Sequence, residues 1–239
     1  MSDIKSHFPT VEHPPGLVGI SSSTMGRYRE FDITLGRVTI PRGSIVSWQI
    51  GLYLALNYNN LCRELLKNKE LEWLWILNDD HVFKPDILTR LLERNVDIVM
   101  PLCLKRSGPF QPVIYEAYES GGYKQLEFDY INGKEGLLEV DGIGHAGILI
   151  RRNVIEKMKE NWHKVGWLNS EYDACDLYFC KKAKEEGFKI FVDLDNTIGH
   201  LTHMAVWPVK ENGEYSVGVR EALNMPKDKL DRVEGISVE

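Results

Sequence analysis

Four cysteines in 239 residues are too few and too scattered to staple a chain. Cys62, Cys103, Cys175 and Cys180 form no CxxC pair and stand among apolar neighbours, so buried free thiols are expected rather than a zinc site. Long apolar runs are missing too. The strongest, such as Trp73 to Leu77, fall far short of the ~20 residues that span a bilayer. The opening MSDIKSHFPTVEHPPG has no apolar core of signal-peptide length. Nor is there an excess of positive charge: 29 Lys and Arg against 35 Asp and Glu leave a net charge of -6. That balance gives no general attraction to phosphate backbones or anionic membranes, although a local basic groove stays open. These absences predict a soluble, cytoplasmic protein without a membrane span. The 20 Gly and 10 Pro follow no collagen-like or solenoid period, and no low-complexity tract divides the chain. What remains, at 43% hydrophobic and 27% charged, is an ordinary globular composition with one domain as the preferred reading.

Strand, loop and helix alternate along the chain. Leu17 to Ser21 and Val38 to Ile40 are short β-type runs, and Ile45 to Lys67 carries apolar residues at mainly helical spacing, with an expected interruption at Asn57 to Asn60. Residues 71 to 77 (LEWLWIL) read as a strand covered on both faces that stops at Asn78-Asp79-Asp80-His81. Pro85 suits the start of a helix whose apolar face is Ile87, Leu88, Leu91 and Leu92, before a strand at Asp97 to Met100. Residues 105 to 140 read as loops and hairpins. A strand at Ile148 to Ile150 leads into a helix capped by Asn153 with Glu156, and a second helix capped at Asp173 ends at Gly187 before a strand at Phe188 to Val192. This alternation predicts an α/β fold with a mixed, mainly parallel sheet flanked by helices and a small antiparallel addition. Ligands of such sheets sit beyond the carboxyl ends of the strands, where residues 79 and 80 fall.

Several residues there invite a chemical reading. Asp79 and Asp80 at the end of an apolar strand suit a hard divalent cation holding a diphosphate, or equally a polar turn whose acids favour the next helix dipole. Asp176 is either a first-turn acid or a general base facing the same cleft. His200, after Gly199, could add an imidazole to a metal on Asp80, a nitrogen and oxygen set suiting Mn²⁺, or could be a hydrogen-bonded structural residue; His203 competes with it. Gly142, Gly144 and Gly147 spell GxGxxG, but they precede a strand late in the chain, which excludes the dinucleotide fingerprint. They form a tight turn or a loop whose backbone approaches a ligand.

Taken in order, LEWLWILNDDHVFKPDIL, VDGIGHAGILIRRNVIEKM and CDLYFCKKAKEEGFKIFVDL followed by Gly-His resemble GT-A-type nucleotide-sugar glycosyltransferases, family 2-like, over roughly residues 60 to 205. The resemblance implies a GT-A-like, Rossmann-type sheet in a single domain: a nucleotide-binding half over about 1–100, a donor-sugar and acceptor half over about 101–205, and an extension at 206–239. Carried over by position, Asn78-Asp79-Asp80 is similar to the DxD motif, with Asp80 the metal ligand, Asp79 at the donor ribose or metal-bound water, and Asn in place of the first acid. Gly144, His145 and Ala146 resemble the loop lining donor and acceptor. Asp176 matches the acid of the xED motif, with Cys175 where glutamate is usual, and His200 matches the late metal-binding histidine. Arg63 and Arg42 are candidates for nucleotide or phosphate contact.

The resemblance therefore implies Mn²⁺ or Mg²⁺, a nucleotide-sugar donor with UDP-sugar first among them, and an inverting transfer with Asp176 as base. The acceptor is open, a modified nucleobase in DNA included. Two other readings compete. A nucleotidyltransferase would need a Gly-rich basic loop after the first strand, which is absent; a degenerate GT-A domain that binds nucleotide or glycan is suggested by Asn78 and Cys175.

Overall fold

The fold is seen in a computed structural model that describes residues 12–23, 28–51, 53–106, 109–119, 121–164, 174–202 and 205–220. The chain begins with strand β1 (Leu17–Ser22), all six residues buried, followed by helix α1 (Arg29–Leu35), β2 (Ile45–Ile50) and α2 (Leu54–Lys67). Helix α2 buries Tyr58, Leu61, Cys62 and Leu65, the spacing of one helical face. Next come β3 (Trp73–Asn78), β4 (His81–Val82), α3 (Ile87–Glu93) and β5 (Ile98–Leu102). The middle of the chain carries short elements: β6 (Ile114–Ala117), β7 (Tyr123–Gln125), α4 (Phe128–Ile131), β8 (Leu137–Val140) and β9 (Gly142–Ile143). It continues with β10 (Ile148–Arg151), α5 (Arg152–Met158), α6 (Cys175–Glu185), β11 (Ile190–Thr197), β12 (Gly199–Leu201), β13 (Ala205–Glu211) and β14 (Glu214–Arg220).

Seven strands form the central sheet in the order β2-β1-β3-β10-β5-β11-β8. Strands β1, β2 and β3 are parallel, β10 runs antiparallel between β3 and β5, and β11 is parallel to β5. It follows that β1, β3, β5 and β11 all end at one edge, and that β10 starts there. Trp73 to Leu77 is buried throughout because β3 is interior to the sheet and covered on both faces. Alternation along β3 sends Trp75 toward Phe83 and Phe31 of α1, and Asn78 toward Tyr58 of α2 on the other face. One buried apolar cluster runs from Leu17 to Tyr215. Among the described residues no helix is long and apolar enough to cross a membrane. The four thiols are free and buried, as the sequence leads one to expect.

A second sheet, β14-β13-β12-β4, grips the same edge. Its β12 and β4 pair antiparallel with His200 opposite His81. Gly199 makes this possible: a Cβ there would lie 2.8 Å from both Trp207 and Val82.

Four local expectations fail. Ile45 to Ile50 is a strand, not part of a helix, because its register with β1 runs unbroken from Leu17↔Ile45 to Ser22↔Ile50. Helix α2 is not interrupted at residues 57 to 60, since Asn57 and Asn59 are satisfied from outside the helix and Asn60 by Arg63 one turn on. Asn57 donates to Ser21 Oγ (3.0 Å), and Asn59 bonds both backbone groups of His163 (2.8 and 3.0 Å). Val38 to Ile40 forms no strand; Val38 and Ile40 are buried while the Thr39 N–H bonds Pro85 (2.7 Å). The Asn153 cap is not made, because α5 starts at Arg152 and the Asn153 amide goes to Asp97 instead (2.8 Å). The expected cap Asp173 and the competing ligand His203 lie outside the described residues.

Candidate metal centre and acidic cleft

The carboxyl edge of the sheet collects residues distant in sequence. Asp80 follows β3, Arg106 follows β5, and His200 follows β11 through the β4 and β12 pairing, reinforced by Leu201 N–H donating to the Asp80 carbonyl (2.6 Å). The ligand atoms of Asp80, His81 and His200 all lie within 4.8 Å of one another.

Hydrogen bonds assign different roles to the two histidines. His200 Nδ1 meets the Leu104 carbonyl at 2.9 Å, so Nδ1 carries a proton and Nε2 faces Asp80 Oδ2 at 3.2 Å. A backbone carbonyl on the far nitrogen is the usual way to orient an imidazole toward a metal. His81 is the reverse. Its Nδ1 accepts the Asn78 N–H (3.3 Å), which leaves the proton of the neutral ring on Nε2, 3.7 Å from Asp80 Oδ1. Burial pushes the His81 pKa down to about 4, so the ring is neutral near pH 7. Asp80 thus offers a ligand lone pair, His200 Nε2 would offer one once a cation displaces its proton, and His81 presents an N–H. Burial would raise the Asp80 pKa, but the hydrogen bond with His200 and the charges of His81, His200 and Arg106 hold it well below the carboxylate range. Burial lowers the His200 pKa, but the interactions with Asp80 and Cys103 together outweigh it and lift it to about 10. Among the described residues, the buried Asp80 Oδ1 has no hydrogen-bond partner, an orphaned acceptor that a cation would satisfy. A divalent cation fits these residues.

Beside them, Asp79 Oδ2 accepts the Ser22 hydroxyl (2.5 Å), tying the ends of β1 and β3 together. Burial raises the Asp79 pKa, and the serine bond only tempers this. Asn78 spans the cleft floor: its Oδ1 accepts from Tyr58 Oη (2.8 Å) and its Nδ2 donates to the His145 carbonyl (3.2 Å). The glycine loop follows. Asp176 heads α6 with Oδ1 on the Leu177 N–H (3.0 Å), and a Cβ on Gly144 would stand 3.5 Å from its Oδ2. The loop backbone thus lies beside this carboxyl, and the tighter neighbour of a Cβ at 144 is Val113, at 3.1 Å. Burial raises the Asp176 pKa, with the backbone bonds of Leu177 and His145 opposing it. The charges of both Asp176 and Asp80 act on the Tyr58 hydroxyl, so both acids lie near one tyrosine.

The edge therefore brings together Asn78, Asp79, Asp80, Gly144, Asp176 and His200. Ala146 closes the loop by donating to the Gly144 carbonyl (2.8 Å), its own side chain buried. The His145 ring points away from the edge into an aromatic nest with Tyr58, His163 and Phe179. Arg63 is held on the flank of α2 by Asn60 (3.0 Å) and Glu160 (3.6 Å), well down the helix from Asn57 and Tyr58. Arg42 precedes β2 and so lies at the opposite edge of the sheet. Neither arginine joins the cluster. The arginine that does is Arg106, whose Nη1 reaches Asp80 Oδ2 at 2.7 Å. Its signal in sequence is a basic pair, Lys105-Arg106, just past a buried strand. Tyr58 and Ser22 were equally hidden, since a helical tyrosine and a strand-end serine carry no pattern of their own.

No family model matches the chain, and no curated protein matches it. Solved structures do match. The fold is similar to that of A197 from STIV. The superposition covers 93% of this chain and 100% of that one, with a TM-score of 0.55 at 15% identity. Likeness at that identity is likeness of fold alone.

Proposed function

We propose that this chain is a GT-A-type, metal-dependent glycosyltransferase that moves a sugar from a nucleotide-sugar donor to an acceptor hydroxyl. The observation carrying this reading is the convergence of Asp80, His200 and Asp176 on the carboxyl edge from three separate parts of the chain. Asp80 and His200 would hold Mn²⁺ or Mg²⁺, which when bound offsets the charge on a departing diphosphate. Asp79 and Ser22 border the nucleotide side. Asp176, its pKa raised by burial, takes the acceptor proton as that oxygen bonds the anomeric carbon and the bond from that carbon to the phosphate oxygen breaks. The outcome is an inverted glycoside, a nucleoside diphosphate and a protonated Asp176.

The test is thermal stabilisation by a panel of nucleoside diphosphates and nucleotide sugars, with and without Mn²⁺. A metal-dependent rise in Tm that disappears in Asp80→Ala is expected, together with loss of transfer or donor hydrolysis by at least about 100-fold in Asp176→Asn. No shift with any donor, in folded protein, would reject the donor site. A shift without turnover would favour the binding module.

A further inference from the structure

Arg106 occupies a telling position. Its side chain is 54% exposed, yet it donates Nη1 to a carboxylate only 15% exposed. The oxygen it takes is Asp80 Oδ2, the same atom that His200 Nε2 approaches at 3.2 Å. A divalent cation held by Asp80 and His200 would share this carboxylate, whose Oδ1 is open and whose Oδ2 already carries the guanidinium. A guanidinium and a divalent cation on one carboxylate repel strongly, so the two compete for Asp80.

The tether is slight. Arg106 lies beyond the end of β5, and the bond to Asp80 is its one side-chain hydrogen bond among the described residues. The side chain is half exposed, and its guanidinium carries further N–H groups in a fork suited to two phosphate oxygens.

We propose that Arg106 serves as an internal cation that closes the Asp80 and His200 site and gives way to a metal only when a diphosphate arrives to receive the guanidinium. This rests on the metal and diphosphate reading above and adds a selection: the site disfavours a free divalent cation and favours a cation carrying a diphosphate. Arg106 is then a positioning and specificity residue whose two partners, carboxylate and diphosphate, exchange. By linkage, diphosphate tightens metal binding as much as metal tightens diphosphate binding.

Binding alone tests it. Free Mn²⁺, and separately the preformed Mn²⁺–pyrophosphate complex, are titrated into the wild type, Arg106→Ala, Arg106→Lys and Asp80→Ala, followed by Mn²⁺ EPR and calorimetry. Arg106→Ala should bind free Mn²⁺ about tenfold more tightly and the pyrophosphate complex about tenfold more weakly, the scale of one charge-assisted hydrogen bond. Arg106→Lys keeps the competition with free Mn²⁺ but loses the fork, so only the second affinity should fall. A purely structural arginine would move both affinities the same way or neither, and either result overturns the proposal while leaving the metal site standing. Mn²⁺ bound by neither the wild type nor Arg106→Ala would reject the metal reading and this one with it.

Discussion

Asn78 shows how one atom can decide a position. Its Nδ2 donates to the His145 carbonyl while its Oδ1 accepts from Tyr58, so both ends of the amide are used. An aspartate would turn the donor into a second acceptor facing a carbonyl, beside the acids Asp79 and Asp80. We expect Asn78→Asp to cost about 1–3 kcal/mol, the penalty of an unsatisfied polar pair, read as a lower Tm. An unchanged or higher Tm would show that the amide bond to the loop contributes nothing. Asn78 thus has a structural role of its own, because it braces the glycine loop.

At the scale of elements, the site depends on how helices and short strands are fastened. The C-terminal end of α2 and the turn after it present a cluster of carbonyls, and Arg152 donates to four of them. Its Nη1 reaches Leu65, Asn68 and Leu71 at 2.9 to 3.0 Å, and its Nη2 reaches Leu66 at 3.3 Å, in a side chain only 14% exposed. A cation here also complements the helix dipole. Arg152→Ala should lower stability by about 2–3 kcal/mol, seen as a reduced urea midpoint at unchanged m, and Arg152→Lys should recover only part because an ammonium has no fork. A midpoint equal to wild type would mean that water caps the helix equally well. The short β4 and β12 pair does similar work for the site, since it alone sets His200 across from His81.

For the whole molecule, two buried imidazoles weaken the fold in acid. The rings of His145 and His163 stand 4.9 Å apart, and among the described residues none of their four ring nitrogens has a hydrogen-bond partner. Burial lowers the His145 pKa to about 3, and burial, His145 and Lys182 together lower that of His163. With unfolded values near 6.5, the unfolded chain takes up protons first as pH falls. The stability these rings contribute is therefore complete above pH ~6.5 and is lost as pH falls toward the folded values, at up to ~1.4 kcal/mol per pH unit for each ring. The raised pKa values of Asp79 and Asp176 work the other way as pH drops. Denaturant unfolding between pH 7 and 4.5 should show this decline, and His163→Phe, which keeps the stacking on Phe179, should make it shallower. An identical slope in that variant would place the acid sensitivity elsewhere.

The apolar runs and the polar break after Asn78 were enough to read the mixed α/β class, the interior strand β3 and the placing of Asp79 and Asp80 at a carboxyl edge. Such features are local: continuous burial and turn chemistry leave their mark on neighbouring residues. Strand β2 misled because a partly exposed edge strand mixes apolar and polar residues without clean alternation, and α2 misled because Asn57 and Asn59 are satisfied by Ser21 and His163, which spacing cannot reveal. Arg63, a candidate from the sequence, is drawn to Glu160, whereas Arg106, which the sequence did not single out, meets Asp80. The imidazole roles, the carboxylate oxygen that Arg106 takes and the meeting of residues 80, 106, 176 and 200 arise from pairings of strands far apart in the chain. Those pairings are non-local, so tertiary structure alone decides which ionisable groups share one low-dielectric edge and which nitrogen of each histidine faces the acid.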